Sequence, residues 1–441
     1  MDEKHPSVQE CTGPLPRVKQ KRRLAYFAVA AITLYLVSWR VTSFGVQACK
    51  HHDELLSDTG EHIKWKPCGQ INDHKVKCSD VDVPMDQFDS QNSGGNTFNI
   101  PLIRLRGKNA SQNLLLNPGG PGGSENFHLL SFDPRGVNSS RPLASCYPDQ
   151  KTRDAMSESK DADPVKDSPY RYAWTKNYIK GCLENMGEHG KYINTPQTAA
   201  DMNSILDAVG QEKMVYWGFS YGSLLGQTYA ALFPERSHRV IIDGVVDFFE
   251  WSLKAPMLKS DFTDTQHVLD GFFDECIKAG DKCALSSLGG SKSELERRVL
   301  SFLEGLKQDP VAVHHSATTY GILDHKAMLY GVFRHLYAPK TWYQFANRLA
   351  QMIDGNATDA FLAYGFGESS TFQPIGEATD IVEFNDGATG PKHWPQGRDK
   401  LQDLIFPYYE SSAFAYSHNK ANYVRQTWPV PKTHNFAPQN D

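Results

Sequence analysis

The sequence has no stripe of basic residues and little net charge, −5 formal over 441 residues. A nucleic-acid partner therefore has no electrostatic support. It has no internal repeat and no low-complexity tract, which excludes solenoids and arrays. Apolar residues are not scarce, at 40% hydrophobic against 22% charged, so extensive disorder is excluded as well. Long apolar runs are absent except for one near the N-terminus. What these absences leave is small-molecule or peptide chemistry, on a chain long enough for a large core and a second unit.

The exceptional run is Leu24 to Trp39, introduced by Lys19, Lys21, Arg22 and Arg23. It falls short of the roughly 20 residues that span a bilayer, but Val41 to Val46 extend it past Arg40, which can snorkel. Residues 1–23 read as a cytosolic basic leader and 24–46 as a signal anchor, which places the rest on the lumenal or extracellular side. Cleavage as a signal peptide at Val46-Gln47-Ala48 is the open alternative, giving a secreted product. The cysteines suit that compartment. Cys68/Cys78, Cys146/Cys182 and Cys276/Cys283 fall as neighbouring pairs, and local pairing is the simplest connectivity. Cys11 and Cys49 remain outside these pairs. Asn109-Ala-Ser, Asn138-Ser-Ser and Asn356-Ala-Thr fit the N-glycosylation acceptor pattern.

From about residue 60, short apolar runs alternate with helical patterns, as in a parallel sheet flanked by helices. Strands are expected at Phe98–Arg104, Asn113–Leu116, His128–Phe132, Met214–Trp217 and Arg239–Ile242, with helices over Gln197–Val209 and Leu224–Phe233. The fold class is α/β, a doubly wound, mostly parallel sheet. Residues 60–247 read as the core and 248–380 as a helical cap, its amphipathic segments being Asp261–Ala279, Lys292–Leu306 and Trp342–Ile353. Residues 381–441, rich in proline and aromatics, read as irregular connection.

Met214 to Ser223 runs as a strand into Gly218-Phe219-Ser220-Tyr221-Gly222 and then a helix. That context is what a Gly-x-Ser-x-Gly nucleophile elbow requires. A side chain at either glycine would collide with a neighbouring element, and Ser220 is held above the sheet at a helix N-terminus, where the Tyr221 N–H stabilises a developing oxyanion. Leu114 to Ser124 is an apolar strand ending in a glycine-rich turn, and Gly119 and Gly120 supply the second oxyanion loop. No Lys-Ser or Lys-Thr follows, which excludes a phosphate loop. In Asp133-Pro134-Arg135-Gly136 the charged pair is structural, because an acid ahead of the serine breaks the serine, acid, histidine order of this fold.

At these residues the chain resembles the tripeptidyl-aminopeptidase and prolyl-iminopeptidase-like serine peptidases of the α/β-hydrolase superfamily, in their secreted bacterial and fungal branch. The markers are Ile63–Cys68 with Cys78, Val83-Pro84-Met85-Asp86, Asn117–Ser124, Phe132–Gly136, Gly218–Ser223 and Val240–Val245. The resemblance implies release of short N-terminal pieces from peptides by a Ser-acid-His hydrolase, with no metal or organic cofactor. Ser220 becomes the nucleophile, and Gly119, Gly120 and Tyr221 the oxyanion donors.

The chain departs from the family in two places. Only Pro121 to Asn126 separate the strand ending near Gly120 from the next, whereas a parallel crossover needs a dozen residues or more. The family's Asp-Pro-x-Thr-Pro-like acid turn and later Gly-His do not occur, so the triad acid and histidine are unassigned. An incomplete gene model accounts for both. His393, His418 and His434 are late enough in the chain to be substitutes but lie in polar stretches; Asp243 could supply an acid but reads as a strand-end cap. Three functions follow: an exopeptidase-like enzyme acting on peptides, a carboxylesterase, or a non-catalytic hydrolase-fold binding protein.

Overall fold

The computed structural model describes residues 60–71, 74–107, 110–117, 127–157, 166–253, 262–365, 373–412, 414, 421–434 and 436. The leader at 1–23, the anchor at 24–46, Cys11, Cys49, Asn109, Gly119, Gly120 and His418 lie outside them. Among the described residues no helix is long and apolar enough to cross a membrane.

The core is built on β1 (Lys66–Ile71), β2 (His74–Pro84), β3 (Thr97–Leu105), β4 (Asn113–Asn117), β5 (His128–Phe132), β6 (Met214–Phe219) and β7 (Ser237–Asp243). They form one sheet in the order β1-β2-β3-β5-β4-β6-β7. β1 to β3 are antiparallel, β3 meets β5 antiparallel, and β5, β4, β6 and β7 are parallel neighbours. The five strands expected from the sequence are present, each extended or matched at its ends. β1 and β2 were not legible, because in His74-Lys-Val-Lys-Cys-Ser-Asp-Val-Asp-Val-Pro polar residues outnumber apolar ones and only Val76 and Val83 are buried valines. What holds that corner is polar. Arg104 of β3 is fully buried, pairs with Glu61 and stacks 4.0 Å from the Trp65 ring.

Helices α1 (Gln150–Met156), α2 (Ser168–Met186), α3 (Thr195–Ala208), α4 (Tyr221–Leu232) and α5 (Phe248–Leu253) accompany the sheet. α3 begins where a helix should: the Asn194 side chain accepts from the Gln197 N–H at 3.0 Å, and Pro196 sits in the first turn. Its Ala199, Met202, Ile205 and Leu206 join Leu130, Tyr216 and Leu225 in the first hydrophobic cluster. β4 and β5 pair in parallel although residues 118–127 alone join them. The sequence anomaly is thus present in the topology.

The segment expected to form a cap carries α6 (Thr265–Ala279), α7 (Lys292–Gly305), a hairpin of β8 (Val311–Ser316) and β9 (Thr319–Leu323), then α8 (His325–Leu336), α9 (Trp342–Ile353) and α10 (Thr358–Tyr364). α9 matches its expected bounds. The hairpin is the exception in a segment read as mostly helical; along Val311-Ala312-Val313-His314 burial alternates, with Val313 buried between exposed neighbours, in the two-residue period of a strand. A second cluster, including Phe272, Val299, Phe345, Leu349 and Phe361, is the cap's own core.

The described residues of 381–441, a segment expected to be irregular, are partly helical and partly buried. α11 (Gln373–Asp386) continues past 380, and α12 (Arg398–Ser411) and α13 (Ala421–Arg425) follow. Ile381, Phe384, Val424 and Trp428 join the first cluster, while Leu401, Ile405 and Tyr423 join the second. Pro407 inside α12 masked the helical pattern, because proline forfeits a backbone bond that tertiary burial here offsets. The segment therefore contributes to both hydrophobic clusters.

Disulfides join Cys68 to Cys78, Cys146 to Cys182 and Cys276 to Cys283. Non-reducing peptide mapping of exported protein is expected to recover these three linkages; free thiols at the six positions would contradict the pairing and the oxidising compartment together.

Candidate active site

At the end of β6 the chain turns sharply into α4, and Ser220 occupies the corner with φ 52° and ψ −118°. A non-glycine residue there carries strain of about 1–3 kcal/mol, which persists only where neighbours over-determine the turn. They do so here. The Ser220 N–H donates to the Asp243 carbonyl at 3.0 Å, and the Ser220 carbonyl accepts from the Ser223 N–H at 2.8 Å and the Ser223 hydroxyl at 2.6 Å. Ser223 Oγ in turn accepts from the Val246 N–H at 2.9 Å, and the Tyr216 hydroxyl donates to the Gly222 carbonyl at 2.7 Å.

The glycines on either side are required by space. A Cβ on Gly218 would lie 2.2 Å from the Gly222 carbonyl oxygen, and one on Gly222 would lie 2.3 Å from the Asn117 carbonyl oxygen. The elbow is thus packed between its own helix and β4, and Ser220 is left exposed above the sheet. Its Oγ stands at the first turn of α4, where unpaired backbone N–H groups favour negative charge.

Beneath the elbow, Tyr221 is pinned by a polar chain that the sequence did not reveal. Its hydroxyl donates to Thr195 Oγ1 at 3.0 Å, and Thr195 donates through Oγ1 at 2.5 Å and its N–H at 2.7 Å to the Asp386 carboxylate. Trp251 Nε1 donates to the same carboxylate at 2.8 Å. Burial pushes the Asp386 carboxyl above the usual range, and the Thr195 and Trp251 bonds oppose that shift. The helix start Asn194-Thr195-Pro196 could have flagged Thr195; nothing local in Asn385-Asp386-Gly387 marks Asp386, which reaches the site only through the fold.

Arg135 is fully buried and donates to Asp201 through Nε at 2.8 Å and Nη2 at 2.5 Å, and to the Met85 carbonyl through Nη1 at 2.7 Å. Its guanidinium also lies 4.8 Å from the Phe98 ring. Burial raises the Asp201 carboxyl, and Arg135 draws it back. Asp133 turns the other way, accepting from Asn138 Nδ2 at 3.0 Å and the Ser139 N–H at 3.1 Å. Both charged residues of the turn are structural, as expected.

Among the described residues none of the sequence's substitute groups brings its side chain into a hydrogen bond with Ser220. Asp243 contributes its backbone carbonyl, while its carboxylate is exposed and makes no hydrogen bond among the described residues. His393 is exposed, and His418 lies outside the described residues. His434 has both ring nitrogens shielded, and burial, reinforced by Lys432, lowers its pKa to about 4. It faces a cavity of about 590 Å³ that Thr195, Leu224, Trp251 and Lys432 also line and Ser220 does not. Among the described residues no histidine hydrogen-bonds Ser220. Of the expected oxyanion residues, Tyr221 stands beside Ser220, and Gly119 and Gly120 are beyond the described segments. Among the described residues no group of His, Cys, Asp and Glu is arranged to hold a metal ion.

Comparison with known proteins agrees with this geometry. Residues 112–303 match the family described as alpha/beta hydrolase fold. The chain is 28% identical over 367 residues to the serine protease Hip1 of Mycobacterium tuberculosis H37Rv, covering 77% of this chain and 68% of the relative. It is 31% identical over 214 residues to the tripeptidyl aminopeptidase of Streptomyces lividans, covering 42% of this chain and 38% of the relative. Carboxylesterase B of Mycobacterium tuberculosis CDC 1551 is 24% identical over 396 residues, covering 81% and 71%.

Proposed function

We propose that this chain, a serine hydrolase of the α/β-hydrolase superfamily, is by descent an exopeptidase that releases short N-terminal pieces from peptides through an acyl-enzyme on Ser220. The observation that carries the reading is the strained, exposed Ser220 at a strand-to-helix corner fixed from three sides. In the first step Ser220 Oγ attacks the scissile carbonyl, its proton passing to a base, and the oxyanion forms against the Tyr221 N–H and the loop of Gly119 and Gly120. Collapse expels the amine of the remaining peptide, which takes up the proton held by the base, and water then hydrolyses the Ser220 ester, releasing the short piece as its acid and restoring the hydroxyl. No described histidine is placed to be the base. A triad acid and histidine would complete the site beyond β7, whose only strand partner among the described residues is β6 and whose Ile241 is 55% exposed. Comparing hydrolysis of tripeptidyl and aminoacyl chromogenic amides by Ser220 and Ser220→Ala proteins tests the reading; peptide turnover indifferent to Ser220 defeats it.

The similarity to a carboxylesterase favours ester hydrolysis by the same elbow as a second reading. The lack of a described base favours a third, in which the fold binds a peptide or partner without turning it over. All three operate on the exported side of a membrane, with residues 24–46 as a type II anchor and 1–23 in the cytosol. Alkaline carbonate extraction should leave the protein in the membrane pellet; a soluble product beginning near Cys49 would instead mark cleavage and secretion.

A further inference from the structure

We propose that in the folded protein Asn356 carries an N-linked glycan and Asn138 carries none. Both belong to acceptor triplets, and the structure treats them in opposite ways.

Transfer joins the asparagine Nδ2 to the anomeric carbon of a lipid-diphosphate-linked oligosaccharide. The new C–N bond replaces the sugar–phosphate C–O bond, the lipid diphosphate leaves, and the amide nitrogen gives up one proton. The product is tolerated only where that nitrogen is uncommitted and the sugar projects into solvent.

Asn356 meets both conditions. It lies in the turn between α9 and α10, exposed beside exposed Asp354 and Gly355, with Gly355 at φ 93° reversing the chain. Its N–H donates to the Gln351 carbonyl at 2.8 Å, which fixes the turn. Its Oδ1 accepts from the Thr358 N–H at 3.2 Å, a local side-chain turn that occupies the oxygen and leaves Nδ2 without a partner among the described residues. The next residue, Ala357, is buried in the cap core and anchors the turn, so a glycan here points away from the packed face.

Asn138 fails both. Its Nδ2 donates to Asp133 Oδ2 at 3.0 Å, the oxygen that also holds the Ser139 N–H at 3.1 Å. Its carbonyl accepts from Arg141 Nη1 at 2.8 Å, its φ is 50°, and the triplet's hydroxyl residue, Ser140, is 0% exposed. A sugar on this nitrogen would lie against the Asp133 carboxylate and open the turn that follows β5.

The inference rests on export of residues beyond the anchor, and its test keeps the two apart. The full chain is expressed in a eukaryotic secretory host and its glycopeptides are mapped by mass spectrometry before and after peptide-N-glycosidase treatment, alongside Asn356→Gln, Thr358→Ala and Asn138→Gln proteins. The expected result is glycan at Asn356 in most molecules, its loss in Asn356→Gln and Thr358→Ala, and bare Asn138 with an unchanged glycan profile in Asn138→Gln. Bare Asn356 in protein that has formed the Cys68–Cys78 disulfide overturns the site assignment with export intact, as does glycan on Asn138 in soluble, folded material. Bare Asn356 with Cys68 and Cys78 as free thiols overturns the export reading, and the inference with it.

Discussion

Towards tripeptidyl and aminoacyl chromogenic amides, this chain is expected to turn over on the order of 10⁶-fold more slowly than a serine peptidase with its triad assembled. Ser220 stands at the elbow, and among the described residues no histidine is placed as its base. An elbow and an oxyanion site still bind and polarise a carbonyl, so a residue of hydrolysis, roughly 10³-fold above water, is compatible with a missing histidine. A version extended past Asp441 and across the interval after Ser124, supplying an acid turn and a Gly-His, is expected to recover the lost orders of magnitude. Brisk turnover by the unextended chain would reveal a substitute base, and loss of rate in His393→Ala, His418→Ala or His434→Ala would identify it.

The second large effect is on stability. Arg135→Met is expected to cost about 3–5 kcal/mol, because it leaves the Asp201 carboxylate buried and unpaired. Against a typical total of 5–15 kcal/mol, such a loss brings the core close to unfolding at ambient temperature. The pair does more than attract. Arg135 also satisfies the Met85 and Tyr192 carbonyls, so removing it strands the end of β2 and the entry to α3 at once. Chemical denaturation followed by far-UV circular dichroism measures the change. A shift below about 1 kcal/mol would mean the pair is replaceable packing, and an Arg135→Met/Asp201→Leu protein should regain part of the loss, since an apolar pair leaves no orphaned charge.

How much of this could be read beforehand depended on whether the signal was local. The elbow was legible because its chemistry is compressed into Gly218 to Gly222, and the clashes at Gly218 and Gly222 are the physical reason for that spelling. The parallel strands were legible because apolar runs such as Leu114-Leu115-Leu116 and Val240-Ile241-Ile242 are the mark of a parallel sheet, although among the described residues β7 pairs with β6 alone and leaves Ile241 exposed. β1 and β2 were not, since they stabilise through Glu61–Arg104 and a disulfide in place of an apolar run. The Tyr221–Thr195–Asp386–Trp251 chain was invisible for a different reason. Its members come from four separate segments, and no spacing relates them until the sheet and the C-terminal segment have packed. The helices after residue 381 were hidden by prolines and polar residues whose neighbours, among them Ile381, Leu401 and Trp428, are buried only by tertiary contact.

That Ser220 is a catalytic nucleophile and not a relic of the fold is the proposal on which the function turns. Its most direct test is kcat/KM for a tripeptidyl chromogenic amide, measured on the extended version with Ser220 and with Ser220→Ala. The predicted result is activity at least about 10³-fold above the unextended chain, falling back to the unextended level with alanine. Equal rates from the two extended proteins, or no activity in either while both are folded, would contradict it and leave the binding-protein reading in its place.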